Sequence, residues 1–162
     1  MRPFQETYVF LITMSFLVAI VLMILPLPHW AVWLRPQWVF AVLLFWLLTP
    51  SEQFGIGAAW VAGISMDLVS GTPLGLQAFV FVALSYGVLR LRLIIGYLPI
   101  WQQATVVGMF VFLNGLLQGI GLSWMGHGVH IGLYMLSAIT TALMWPWLFS
   151  ALDQLRPRAL IR

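Results

Sequence analysis

Cysteine and lysine are both missing from the 162 residues, and only four carboxylates are present. Without cysteine there are no disulfides and no thiolate metal sites. Charged residues make up 7% of the chain, whereas a water-soluble domain of this size carries about 25%. Also missing are HExxH, GxSxG, a phosphate-binding glycine loop and any pair of carboxylates within one segment, so the sequence points to no catalytic set and no cofactor. What remains is 62% hydrophobic, with a mean hydropathy of +1.02, which is the composition of an integral membrane protein. The net charge of +3 comes entirely from arginine. With no basic cluster on a soluble surface, that charge bears on membrane orientation and not on nucleic acid.

A helix crosses the roughly 30 Å hydrocarbon core with about 20 apolar residues. Six apolar segments stand between Pro, Gly and charged punctuation, approximately 7–25, 36–48, 50–70, 73–91, 99–122 and 131–152. They predict an all-α fold: a single membrane domain over residues 1–162, built as a six-transmembrane-helix bundle. The second segment is short, reaching only about 20 Å. It has to borrow length from Trp30 to Arg35 or cross a thinned bilayer. The first segment is followed by "LPLPHW" and not by a small-residue cleavage site, so it reads as an uncleaved helix. With the N-terminus inside, Arg2, Arg90, Arg92, Arg156, Arg158 and Arg162 are cytoplasmic and only Arg35 is outside. Both termini are then cytoplasmic. Trp30, Trp33, Trp38 and Trp124 fall at the outer boundary, and Trp46, Trp101, Trp145 and Trp147 at the inner one.

"TPSE", Thr49 to Glu52, has the form of a capping box with Pro at the first helical position, which gives Glu52 a structural task. From there Gly55, Ala59, Gly63 and Asp67 recur every four residues on one helix face, a small-residue stripe suited to close helix packing or to a partner. Ser70, Gly71, Thr72 and Pro73 then spell a tight reversal: Gly71 suits a left-handed residue, Thr72 a cap and Pro73 a helix start. Asp67 thus lies near the C-terminus of its helix, where the macrodipole disfavours a negative charge. Arg35 is the one arginine predicted on that side, so the expectation is an Asp67–Arg35 pair. It would be either a structural clamp or a site for a ligand or partner.

Asn114 and Gln118 stand four apart beside Gly115 and Gly119, so amides and a GxxxG spacing share one helix as a packing or partner face. Ser137, Thr140 and Thr141 precede "WPW", in which Pro146 frees the carbonyl of Ala142 and can bend the last helix. His127 and His130 are the only residues resembling metal ligands, and without nearby cysteine or carboxylate they make no metal site. "LRLRLIIGYLP", 89–99, mixes arginine with apolar residues. It is expected to lie partly along the inner interface, offering Arg90 and Arg92 to anionic headgroups or a protein.

"LRPQWVFAVLLFW" (34–46), "GISMDLVSGTPLG" (63–75), "WQQA" (101–104) and "WPWLF" (145–149) occur in order across nearly the whole chain. Together they resemble the rod shape-determining protein MreD family. Gln37 departs from the shorter Asp or Asn that the family places after Arg-Pro. The resemblance implies a non-enzymatic subunit of the cell-elongation machinery in the bacterial cytoplasmic membrane. It would act beside the single-span protein MreC and through it with MreB and the peptidoglycan polymerase pair. It also implies a bundle similar to the substrate-binding components of energy-coupling-factor transporters. Two functions of different class follow. One is a membrane scaffold docking the transmembrane region of MreC. The other is a small-molecule or lipid-binding transport component with a polar outer cavity near Asp67 and Arg35.

Overall fold

A central helix, α2 (Trp38–Leu48), organises the molecule. Its residues from Val39 to Leu47 are all buried, as expected for a helix that is apolar all round and enclosed by neighbours. The neighbours are α1 (Arg2–Ile24), α3 (Ile56–Ser70), α4 (Leu76–Tyr97), α5 (Ile100–Trp124) and α6 (Ile131–Leu155), each of which contacts α2. This computed structural model describes residues 2–26, 28–29, 34–49, 55–126 and 131–155, and all regular structure among them is helical. Helices α4 and α5, and α6 from Tyr134, are long and apolar enough to cross a membrane.

The short second segment finds its explanation here. Helix α2 does not extend back into residues 34–37. At about 16 Å it would be too short to face lipid, but protein surrounds it, so its length is set by the bundle and not by the bilayer.

Consecutive helices pair antiparallel. Trp46 Nε1 of α2 donates to Ser15 Oγ of α1 at 2.9 Å. Gly115 lies under the Tyr134 ring across the α5–α6 seam, and Gly108 faces Ala142. Helix α6 runs parallel to α2: the backbone N–H of Gln37 donates to Thr141 Oγ1 at 3.1 Å at one end, and the Phe45 and Phe149 rings stand 5.4 Å apart at the other. Phe40 and Phe81, 4.9 Å apart, join α2 to α4.

Two boundaries differ from the sequence reading. Helix α4 begins at Leu76 and not at Pro73, and its N-cap is Gly75 and not Thr72. It also continues past Leu91 to Tyr97, so "LRLRLIIGY" belongs to the same unbroken helix. Arginine is a good helix former, and nothing breaks the helix until the residue before Pro99 is reached. Helix α6 passes through Pro146 without interruption. Of the expected capping box only Thr49 is among the described residues. Its hydroxyl donates to the Phe45 carbonyl at 3.0 Å and closes α2.

Candidate functional site

Asp67 is 1% exposed, and its carboxylate is held at the start of α4. Oδ1 accepts from Thr72 Oγ1 at 2.8 Å and from the Gln77 N–H at 3.0 Å. Oδ2 accepts from the N–H groups of Gly75 at 2.8 Å and Ala78 at 3.4 Å. The first N–H groups of a helix have no intrahelical partner and carry the positive end of its dipole, so an anion is stabilised there. Three sequence features make the contact possible. Gly71, at φ +65°, ends α3 and turns the chain. Gly75, at φ +99°, enters α4 in a conformation that side chains disfavour. Gly63 lets the two helices approach until an added Cβ would lie 2.3 Å from Ala78 Cα.

The expected Asp67–Arg35 pair is not formed. Arg35 Nη1 donates to the Met23 carbonyl at 2.6 Å and Nη2 to the Leu25 carbonyl at 2.7 Å, at the C-terminal end of α1. Each charge has therefore gone to a helix end of opposite polarity, the acid to an N-terminus and the guanidinium to a C-terminus. Among the described residues, no side-chain counter-ion lies as near to either charge as these groups.

From Asp67 a chain of side chains runs through the bundle. Gln77 Nε2 donates to Thr72 Oγ1 at 3.3 Å, and Gln118 Nε2 donates both to Gln77 Oε1 at 3.4 Å and to Asn114 Oδ1 at 3.0 Å. The Asn114 amide then donates to Gln37 Oε1. Past Gln37, whose N–H meets Thr141 Oγ1, that hydroxyl donates to the Ser137 carbonyl at 2.7 Å, and Ser137 Oγ donates to the Arg35 carbonyl at 2.9 Å. The network links α3, α4, α5 and α6 with the residues leading into α2. Asp67, Gln77, Asn114 and Thr141 are buried.

Sequence reasoning singled out Asp67, Asn114 and Gln118 but missed Gln77 and the reach of Gln37. The available signal was one glutamine in an otherwise apolar run at the start of α4 and an unusually long side chain after Arg-Pro.

The small-residue faces are spent inside the molecule. Ala59 and Gly63 pack within the bundle, Gly115 lies against Tyr134, and Gly119 is buried; Gly55 has open space around it. A separate depression of about 490 Å³ lies between α5 and α6. Ala104, Gly108, Ala138 and Ala142 form its floor, and Met109, Phe112, Met135, Ile139 and Leu143 stand around it. None of the network side chains lines it, so it is not the polar cavity expected near Asp67 and Arg35. No group of metal-ligating side chains occurs among the described residues. His127, His130, Glu52, Trp30, Trp33, Arg156, Arg158 and Arg162 lie outside them. Arg90 and Arg92 are both on α4 but not on one face. Arg90 is exposed and bonded to Tyr86, whereas Arg92 falls on the side of buried Val88 and Ile95.

This helix-only architecture, with its polar wiring inside and apolar surface outside, can be set beside known proteins. The family described as rod shape-determining protein MreD matches residues 4–155. The chain belongs to that family. The rod shape-determining protein MreD of Haemophilus influenzae is 31% identical over 151 residues, which cover 91% of each chain. No solved structure matches. MreD membership carries with it a role in determining cell shape, and it agrees with a protein in which three described helices are long and apolar enough for a membrane.

Proposed function

We propose that this chain is a non-enzymatic scaffold of the cell-elongation complex, a multi-pass protein of the bacterial cytoplasmic (inner) membrane that docks the transmembrane region of MreC. Through MreC it is linked to MreB and to lateral peptidoglycan synthesis. Its helices cross six times with both termini inside, in the manner of energy-coupling-factor substrate-binding components. The Asp67 end then faces outward and the Arg90 end inward, as the arginine distribution favours.

The observation that carries the docking reading is the α5–α6 depression. Its floor of Ala104, Gly108, Ala138 and Ala142 admits a helix backbone closely, and small residues of this kind are what membrane helices use to associate. The transport alternative loses its anchor, because all four bonds into the Asp67 carboxylate come from this chain's own groups.

Thr105 and Ile139 line the depression from exposed positions, so Thr105→Trp and Ile139→Trp fill it without touching the core. In cells producing tagged MreC, each variant is expected to lose most MreC copurification and to round the cells. Its elution and thermal unfolding in detergent should match the parent. Undiminished MreC capture by the filled variants overturns this docking site.

A further inference from the structure

We infer that Arg90, braced by Tyr86, forms a binding site for the phosphate of an anionic phospholipid in the leaflet at the Arg90 end of the bundle. The exposed face of α4 is a stripe of Phe79, Ala83, Tyr86, Arg90, Leu93 and Tyr97, and Arg90 is its only charge. Its Nε and Nη2 both donate to Tyr86 Oη, at 3.1 and 2.8 Å, with the guanidinium carbon 5.3 Å from the ring centre. Of the five N–H donors of an arginine, those two bonds leave the remainder directed away from the phenol. No ion pair of Arg90 exists among the described residues. The side chain is thus held in one place by Tyr86, with no counter-ion among the described residues.

Depth comes from helix register. Gly63 of α3 faces Ala78 of antiparallel α4, so moving eight residues along each brings Gly55 level with about Tyr86. Gly55, which caps the start of α3, therefore lies level with the turn that carries Tyr86 and Arg90. Beyond it Tyr97 is 89% and Trp101 75% exposed, the amphipathic aromatic residues that sit at headgroup level. In the proposed topology this register sets Arg90 at the headgroup level of the bilayer, where phosphates are, with donors that no described residue takes up.

The competing occupant is a protein helix with an acid. It is disfavoured by the stripe itself, where Phe79, Tyr86, Leu93 and Tyr97 hold a second backbone away, whereas small residues are what close helix contacts need. Arg92, turned to the other side of α4, is outside the site.

The test uses the purified full chain in nanodiscs of four parts phosphatidylcholine to one part phosphatidylglycerol, with lipids retained after extraction counted by native mass spectrometry. Arg90→Gln is expected to lower retained phosphatidylglycerol about five-fold, the worth of one basic residue at an anionic surface. Tyr86→Phe should lower it less, Arg90→Lys should restore part, and Arg92→Gln should match the parent. All four changes leave the buried core intact, and detergent unfolding checks that. Three results overturn the inference: equal retention by Arg90→Gln and the parent, an equal loss from Arg92→Gln, or inorganic phosphate alone protecting the chain as well as the lipid. Loss of MreC capture by Arg90→Gln with lipid retention unchanged also overturns it and assigns the arginine to a protein contact. The readout does not involve the α5–α6 depression, so it can fail or succeed independently of the docking proposal.

Discussion

At Asp67 a single carboxylate joins one helix end to the next helix start. Replacing it with asparagine keeps the shape but removes the charge and turns one oxygen into an N–H donor facing other donors. Charge-assisted bonds contribute more than neutral ones, so Asp67→Asn is expected to destabilise the protein by about 3 kcal/mol in detergent thermal unfolding. Arg35→Gln should act separately. Because the two side chains do not meet, their combined effect should be additive within about 0.5 kcal/mol, and a larger coupling would restore the ion pair that the geometry denies. The composition made it legible that this acid is costly and sits by a turn. Its partner was not legible, because an inventory of side chains contains arginines and hydroxyls but no backbone N–H groups. Three of the four donors to Asp67 are backbone N–H groups.

Among the elements, the α3–α4 hairpin shows how position decides a glycine's worth. An added methyl at Gly63 meets the α4 backbone at 2.3 Å, while one at Gly57 meets nothing within 4 Å. Gly63→Ala is therefore expected to cost at least the ~1–3 kcal/mol of an overpacked core. Gly57→Ala should be neutral or stabilising by up to about 1 kcal/mol through helix propensity. Equal unfolding temperatures for the two variants would mean that the helices are further apart than described. The four-residue spacing of small residues pointed to a contact face, but spacing alone could not say that α4 is what Gly63 touches. Helix ends were legible where Gly71 and Pro99 punctuate the chain. They were misread at Leu91, where arginines look like a boundary yet are compatible with helix.

Across the whole molecule, membrane class and helix order could be read from hydropathy, whereas the enclosure of α2 could not. A window of apolar residues looks alike whether lipid or protein surrounds it. The amide network, too, needs three dimensions, since Gln37 and Asn114 are 77 residues apart. Removing one end strands the other, so Gln37→Leu and Asn114→Leu should each destabilise, and the double variant should recover part of the loss. A coupling of about 0.6 kcal/mol, and up to about 1.7, is the scale found for such bonds between membrane helices. A double-mutant cycle by thermal unfolding measures it, and zero coupling would remove the Gln37 link.

The grip of α4 on Asp67 also constrains biogenesis. In the proposed six-span topology, while the ribosome has delivered α3 but not α4, the acid has no donors, and a lone carboxylate in the hydrocarbon works against insertion. Once residues 72–78 follow, the same acid is neutralised by the incoming helix. The two segments are accordingly expected to enter the bilayer as a pair. Released chains truncated after Ser70 should leave α3 accessible to a water-soluble probe, and released chains truncated after Tyr97 should protect it, with Asp67→Leu abolishing the difference.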